Sequence, residues 1–92
     1  MWDSKLYALI AEEEIVAGMT LAGIQDQEEN NVFQVTVDTP VSEMESAFHR
    51  FVSNQSIQIL IITSTAADKI RIILKEHDSD VPTIVEIPSF QA

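Results

Sequence analysis

Ile57-Gln-Ile-Leu-Ile-Ile-Thr63 (IQILIIT) carries one polar side chain before its end, and four of its seven residues are isoleucine. A strand with one wet face alternates between apolar and polar residues. This run does not, so it needs cover on both faces, the condition of a parallel sheet buried beneath helices. Leu6-Tyr-Ala-Leu-Ile-Ala11 is a second continuous apolar run of strand length. Two weaker runs flank the pair. Val32 to Val37 (VFQVTV) alternates, with Phe33, Val35 and Val37 on one side and Gln34 and Thr36 on the other. Thr83 to Ile87 (TIVEI) carries Glu86 mid-run between Pro82 and Pro88. Both read as edge strands.

Helical patterns fill the gaps. From about Glu13 to Ala22, Ile15, Met19 and Ala22 share a stripe, and Gly23 suits a left-handed C-terminal cap. After Pro40, Val41, Met44, Phe48, Phe51 and Val52 repeat at three and four, and Ser42 with Glu45 matches a capping box. Phe48 and Phe51 are expected to anchor this second helix in the core. In the third pattern Ala66, Ile70, Ile73 and Leu74 form the stripe, with Ser64 or Thr65 as the cap. Asp26 to Asn31 (DQEENN) and His77 to Asp80 (HDSD) read as loops.

The order is therefore β-α-β-α-β-α-β in one domain of 92 residues. Right-handed crossovers with two central and two edge strands predict the order 2-1-3-4, a flavodoxin-like doubly wound four-stranded parallel sheet with three helices. That order leaves the first helix alone on one face. One helix cannot cover four strands, so alternate residues of strands three and four should stay open there: Ile57, Ile59 and Ile61 or Leu60 and Ile62, beside Ile84 or Val85 and Ile87. An open apolar patch marks a binding surface. In isolation the chain is expected to hide it by self-association, or with terminal residues such as Trp2 and Phe90.

The bulk chemistry narrows the partners. Fifteen acidic and five basic residues give a net charge of −10. Such a surface repels nucleic acid and anionic lipid and attracts a basic protein partner. There is no cysteine, so thiolate chemistry and cysteine-type zinc sites are excluded. The polar Met1-Trp-Asp-Ser4 opening is not read as a leader, and no apolar run approaches the roughly 20 residues of a membrane helix.

The default site of such a sheet is the crevice at the carboxyl ends of strands one and three, where Glu12, Glu13, Ser64 and Thr65 would meet. A phosphoacceptor receiver needs an aspartate ending a central strand, but Ile62-Thr63-Ser64-Thr65 offers hydroxyls only. A flavin or nucleotide phosphate needs a glycine-rich turn, and three carboxylates, Glu12 to Glu14, occupy that turn instead. Gly18 and Gly23 come later and match no phosphate-binding fingerprint. His49, on the polar face of helix two, and His77, in a loop, read as solvated residues with no reason to meet a serine nucleophile. The acids of Asp26, Glu28 and Glu29 lack the glycine and twelfth-position glutamate of a calcium loop. Carboxylates in a first helical turn complement the helix dipole, worth about 0.3–1 kcal/mol each. No catalytic residue, cofactor site or metal site is assigned. The small residues Ala17, Gly18, Ala22 and Gly23 are read first as ordinary core contacts and second as a seat for a partner. On the residues alone, a binding module and a receiver-like or flavodoxin-like signalling module both stay open.

Ala-Glu-Glu-Glu-Ile-Val-Ala-Gly-Met-Thr-Leu-Ala-Gly-Ile (Ala11 to Ile24) resembles the opening strand-to-helix motif of the F subunit of V-type ATPases: an acid-rich turn, a Gly, then Leu-(Ala/Gly)-Gly-Ile or Val. Phe48-His49-Arg50-Phe51 is similar to the family's aromatic-basic-aromatic stretch, Ile59 to Thr63 and Ile70-Arg71 to its third strand and helix, and Glu86-Ile87-Pro88-Ser89 to its closing motif. The succession spans almost the whole chain. The resemblance, nearest to the eukaryotic version, implies a non-catalytic central-stalk subunit of a rotary proton-pumping or sodium-pumping ATPase. It further implies a partner, the coiled-coil D subunit, together with other ATPase subunits, and a peripheral place on the cytosolic face of acidic organelles. The candidate partner-binding residues are Met19, Ile24, Gln25, Ile87 and Pro88. Two departures stand out. Ala11 occupies the family's usual Gly, and the sequence stops at Ala92 where family members continue into a C-terminal helical tail, so the tail's roles are not carried over.

Overall fold

The computed structural model describes residues 7–21, 31–77 and 82–89. Four strands run in parallel: β1 (Tyr7–Glu12), β2 (Val32–Val35), β3 (Ile59–Thr63) and β4 (Thr83–Ile87). Their order is β2-β1-β3-β4, as the crossover argument predicts. Tyr7 pairs with Ile59, Leu9 with Val32 and with Ile61, and Thr63 with Ile87. The connecting helices are α1 (Glu13–Leu21), α2 (Val41–Ser53), α3 (Ser64–Lys69) and α4 (Arg71–Glu76).

The period-two geometry of the strands sorts side chains onto two faces. On one face Ala8, Ile10, Leu60 and Ile62 meet Met44, Ala47, Phe48 and Phe51 of α2 and Ala66 and Ala67 of α3. Phe48 and Phe51 are each 2% exposed, so the aromatic pair anchors α2 as the periodicity requires. On the other face Leu9 and Ala11 meet Ile15 of α1, with Val16, Met19, Val32, Ile61 and Ile87 only partly buried around them.

Several local expectations are corrected. β2 ends at Val35, because Thr36 and Thr39 close a turn in which the Thr36 N–H donates to the Thr39 hydroxyl at 2.8 Å. Val37, expected to share a strand side with Phe33 and Val35, is instead 91% exposed. The Ser42–Glu45 capping box does not form. Helix α2 starts two residues earlier, with Pro40 at the N-cap (φ −63°) and no side-chain cap; the Pro40 carbonyl accepts from the N–H groups of Glu43 and Met44. Ser42 and Glu45 therefore already lie inside the helix.

The third helical pattern is broken in two at Ile70 (φ −125°, ψ 30°), so among the described residues four helices stand where three were expected. At the break Ile70 keeps its side chain in the core while Arg71 turns towards Glu86 of β4. Neither Ser64 nor Thr65 caps α3 with its own hydroxyl, since Thr63 occupies the N-cap position. Asn31, the last residue of the acidic DQEENN stretch, is buried and ties β1 to β2. Its side-chain amide donates to the Tyr7 carbonyl at 2.6 Å, and its own carbonyl accepts from the Leu9 N–H. His77 is not solvated either. It is half-buried, donates from Nε2 to the Pro82 carbonyl at 3.2 Å, and sets its ring edge-on to Phe48, which His49 also abuts.

Candidate partner interface

Helix α1 packs on β1 and β2, the half of the sheet farther from β4. Ile59, Ile61, Val85 and Ile87 are left half-buried or exposed on that side, with Val85 39% exposed. Of the two alternatives the alternation allowed, the open set is thus the Ile59–Ile61 one. Leu60 and Ile62 are fully buried under α2 and α3, and Ile57 is buried ahead of the strand.

Where the open face meets α1, a groove of about 400 Å³ runs between Glu14, Ile15, Gly18 and Met19 on the helix and Ile87 at the end of β4 with Pro88 just beyond it. Three of the expected partner residues, Met19, Ile87 and Pro88, come together here. The other two, Ile24 and Gln25, lie outside the described residues, as do Ala22, Gly23, Trp2 and Phe90. Glu14, Ile15 and Gly18 were missed as lining residues. Their spacing with Met19, at i, i+1, i+4 and i+5, was the signal for a shared helical face. Ala17 and Gly18 are exposed rather than in the core, which overturns the core reading of those small residues. A Cβ placed on Gly18 would meet no atom within 4 Å. The glycine therefore keeps the groove open without being needed for packing.

The glutamate triplet divides. Glu12 ends β1, half-buried, and accepts a hydrogen bond from the Thr63 hydroxyl at 3.1 Å. Glu13 and Glu14 are exposed in the first turn of α1, where they complement its dipole. The crevice at this end of the sheet opens between the carboxyl ends of β1 and β2 and the first turn of α3, rather than between β1 and β3; Glu12 and Thr65 line it, and Glu13 and Ser64 do not. Among the described residues no three carboxylate or imidazole groups converge as a metal-binding set would, and no helix is long and apolar enough to cross a membrane.

Residues 7–92 match the family profile of the ATP synthase (F/14-kDa) subunit. The chain belongs to that family. It is 40% identical to the V-type proton ATPase F subunit of Dictyostelium discoideum, over 95% of this chain and 75% of that protein. It is 38% identical to the V-type proton ATPase F 1 subunit of Drosophila pseudoobscura pseudoobscura (92% of this chain, 71% of the relative). The figure is 35% for the human V-type proton ATPase F subunit, over 92% and 74%.

In this member of the F/14-kDa family the closing motif has a visible structural use. Arg71 forms a two-pronged ion pair with Glu86 (2.7 and 3.2 Å) and also holds Asp68. The guanidinium holds the Glu86 carboxyl below the ordinary glutamate range, while Arg71 is raised in turn. The Ser64 hydroxyl donates to the Ile87 carbonyl at 3.2 Å, and the Thr65 N–H donates to the Ser89 hydroxyl at 3.0 Å. Ser89 thus caps α3 from across the fold. Glu86, Ile87 and Ser89 lock β4 to α3 and α4 and present Pro88 beside α1.

Proposed function

We propose that this chain is a non-catalytic subunit of the central stalk of a V-type ATPase. In this reading it binds the long coiled-coil D subunit of the stalk and helps couple ATP hydrolysis to ion transport, from the cytosolic side of the pumping membrane. Family membership and the names of the relatives support it. The single observation that carries the binding claim is the apolar groove between α1 and Pro88, continuous with the uncovered residues of β3 and β4. A helix bearing an apolar stripe fits such a groove. The acidic rim at Glu14, on a chain of net charge −10, favours basic residues flanking that stripe. The turn where a nucleotide-binding sheet cradles phosphate carries Glu12, Glu13 and Glu14, and this supports a role without ATP chemistry in this chain.

Gly18 offers the cleanest test, because a Cβ there enters open space beside the groove. Gly18→Trp should weaken binding to the isolated coiled-coil D subunit at least about tenfold, a loss of about 1.4 kcal/mol. Gly18→Ala should bind as the unaltered chain does and gain about 0.5–1 kcal/mol of stability from the better helix former. Unchanged binding by a folded Gly18→Trp protein would remove the groove from the interface. ATP turnover by the purified chain would refute the non-catalytic assignment.

A further inference from the structure

We infer that the crevice at the carboxyl ends of β1 and β2, closed by α2 and the first turn of α3, receives a lysine side chain from a partner protein, its ammonium seated on Glu12. The crevice lies on the α2–α3 side of the sheet, away from the groove, and the inference stands independently of the function proposed above. Its volume is about 170 Å³, room for one long side chain and too little for a nucleotide. Val35, Met44 and Ala66 give it apolar walls, and Glu12 supplies the carboxylate.

The state of that carboxylate decides the ligand class. Glu12 Oε2 accepts from Thr63, but Oε1 is buried and accepts no hydrogen bond. A buried acceptor left in that state is costly, and a cationic donor satisfies it best. Among the described residues the cation lining the crevice is Lys69, which forms no ion pair there. The mouth points the same way. Val37, 91% exposed, lines it, and Val41, 42% exposed, stands one turn before Met44 on α2. An apolar lip over an apolar shaft ending in a carboxylate matches an alkyl stem ending in an ammonium.

The test titrates the isotope-labelled chain with butylammonium chloride, the lysine side chain without its backbone, and with butanol as the neutral match. Butylammonium should shift the backbone resonances of Thr36, Thr65 and Ala66, with a dissociation constant on the order of 1–100 mM for so few atoms. Glu12→Gln should weaken it about tenfold. Thr65→Leu, which narrows the crevice but keeps the backbone N–H that Ser89 caps, should weaken it similarly and guards against misfolding of the first variant. Lys69→Met should bind within about threefold of the unaltered chain. Equal shifts from butanol, or full binding by folded Glu12→Gln or Thr65→Leu protein, would overturn the inference. Binding seen only in Lys69→Met would make Lys69 itself the occupant and overturn it too. Micromolar affinity would make this a small-molecule amine site and overturn the assignment to a partner's lysine.

Discussion

The two faces of the sheet are built from the same kinds of residue and finished to different degrees. Among the described residues, thirteen are buried in the cluster that α2 and α3 cover, against three in the cluster beneath α1. Neighbouring positions on β3 show the contrast most directly. Leu60 and Ile62 are 0% exposed, while Ile59 and Ile61, pointing the other way, are half-buried. Residue type does not separate them. The strand order does, because it sends two crossovers to one face and one to the other. One face holds most of the buried core, and the other keeps apolar side chains partly exposed.

That contrast can be broken most severely by truncating each side in turn. Phe48→Ala, on the covered face, should cost about 3–5 kcal/mol. A domain of this size holds only about 5–14 kcal/mol in all. Val85→Ala, on the open face, should move stability by no more than about 0.5 kcal/mol. Denaturant midpoints of the two variants measure both, and equal losses would mean that the faces are finished alike.

A smaller effect is expected at Ser89. Removing the hydroxyl that caps α3, by Ser89→Ala, should cost about 0.5–2 kcal/mol, the usual range for a lost cap. Hydrogen exchange should quicken first at the Thr65 amide. If it quickens instead throughout α1, the lock serves the open face.

The smallest effect belongs to the exposed Arg71–Glu86 pair. Folding lowers the Glu86 pKa, so its contribution is fully present above the ordinary glutamate value of about 4.5 and is lost as pH falls through the lower folded value. Glu86→Gln should therefore be slightly less stable than the parent at neutral pH and indistinguishable from it in acid. A gap that persists in acid would assign the effect to packing rather than charge.

The sheet was legible because its signals are local. IQILIIT and the run Leu6 to Ala11 declare double cover within seven residues, and the connections leave one sensible order. The corrections fall where distant residues decide. Alternation continues through Val37, but the Thr36–Thr39 turn ends β2 at Val35. No glycine or proline announces the break at Ile70; there Glu86, fifteen residues beyond Arg71, draws the guanidinium aside. The cap of α3 could not be read near its start, since its donor meets Ser89 from 24 residues away. Three successive glutamates look alike in sequence, and only the end of β1 sorts Glu12 inward from Glu13 and Glu14. Of the residues expected to bind a partner, Met19, Ile87 and Pro88 line one groove, while Gly18 became informative only once the space beside it was visible.

The parallel register has a mechanical side. All three ladders, β2-β1, β1-β3 and β3-β4, run the same way. A pull on the carboxyl end of β4 against the amino end of β1 therefore loads the backbone bonds from Ile59–Thr83 to Thr63–Ile87 together, in shear, instead of unzipping them one by one. The Ser64 and Ser89 ties pass part of that load to α3 before any strand can slide. Tension along the strands meets a block; the same force applied across them, at the short edge strand β2, would peel it.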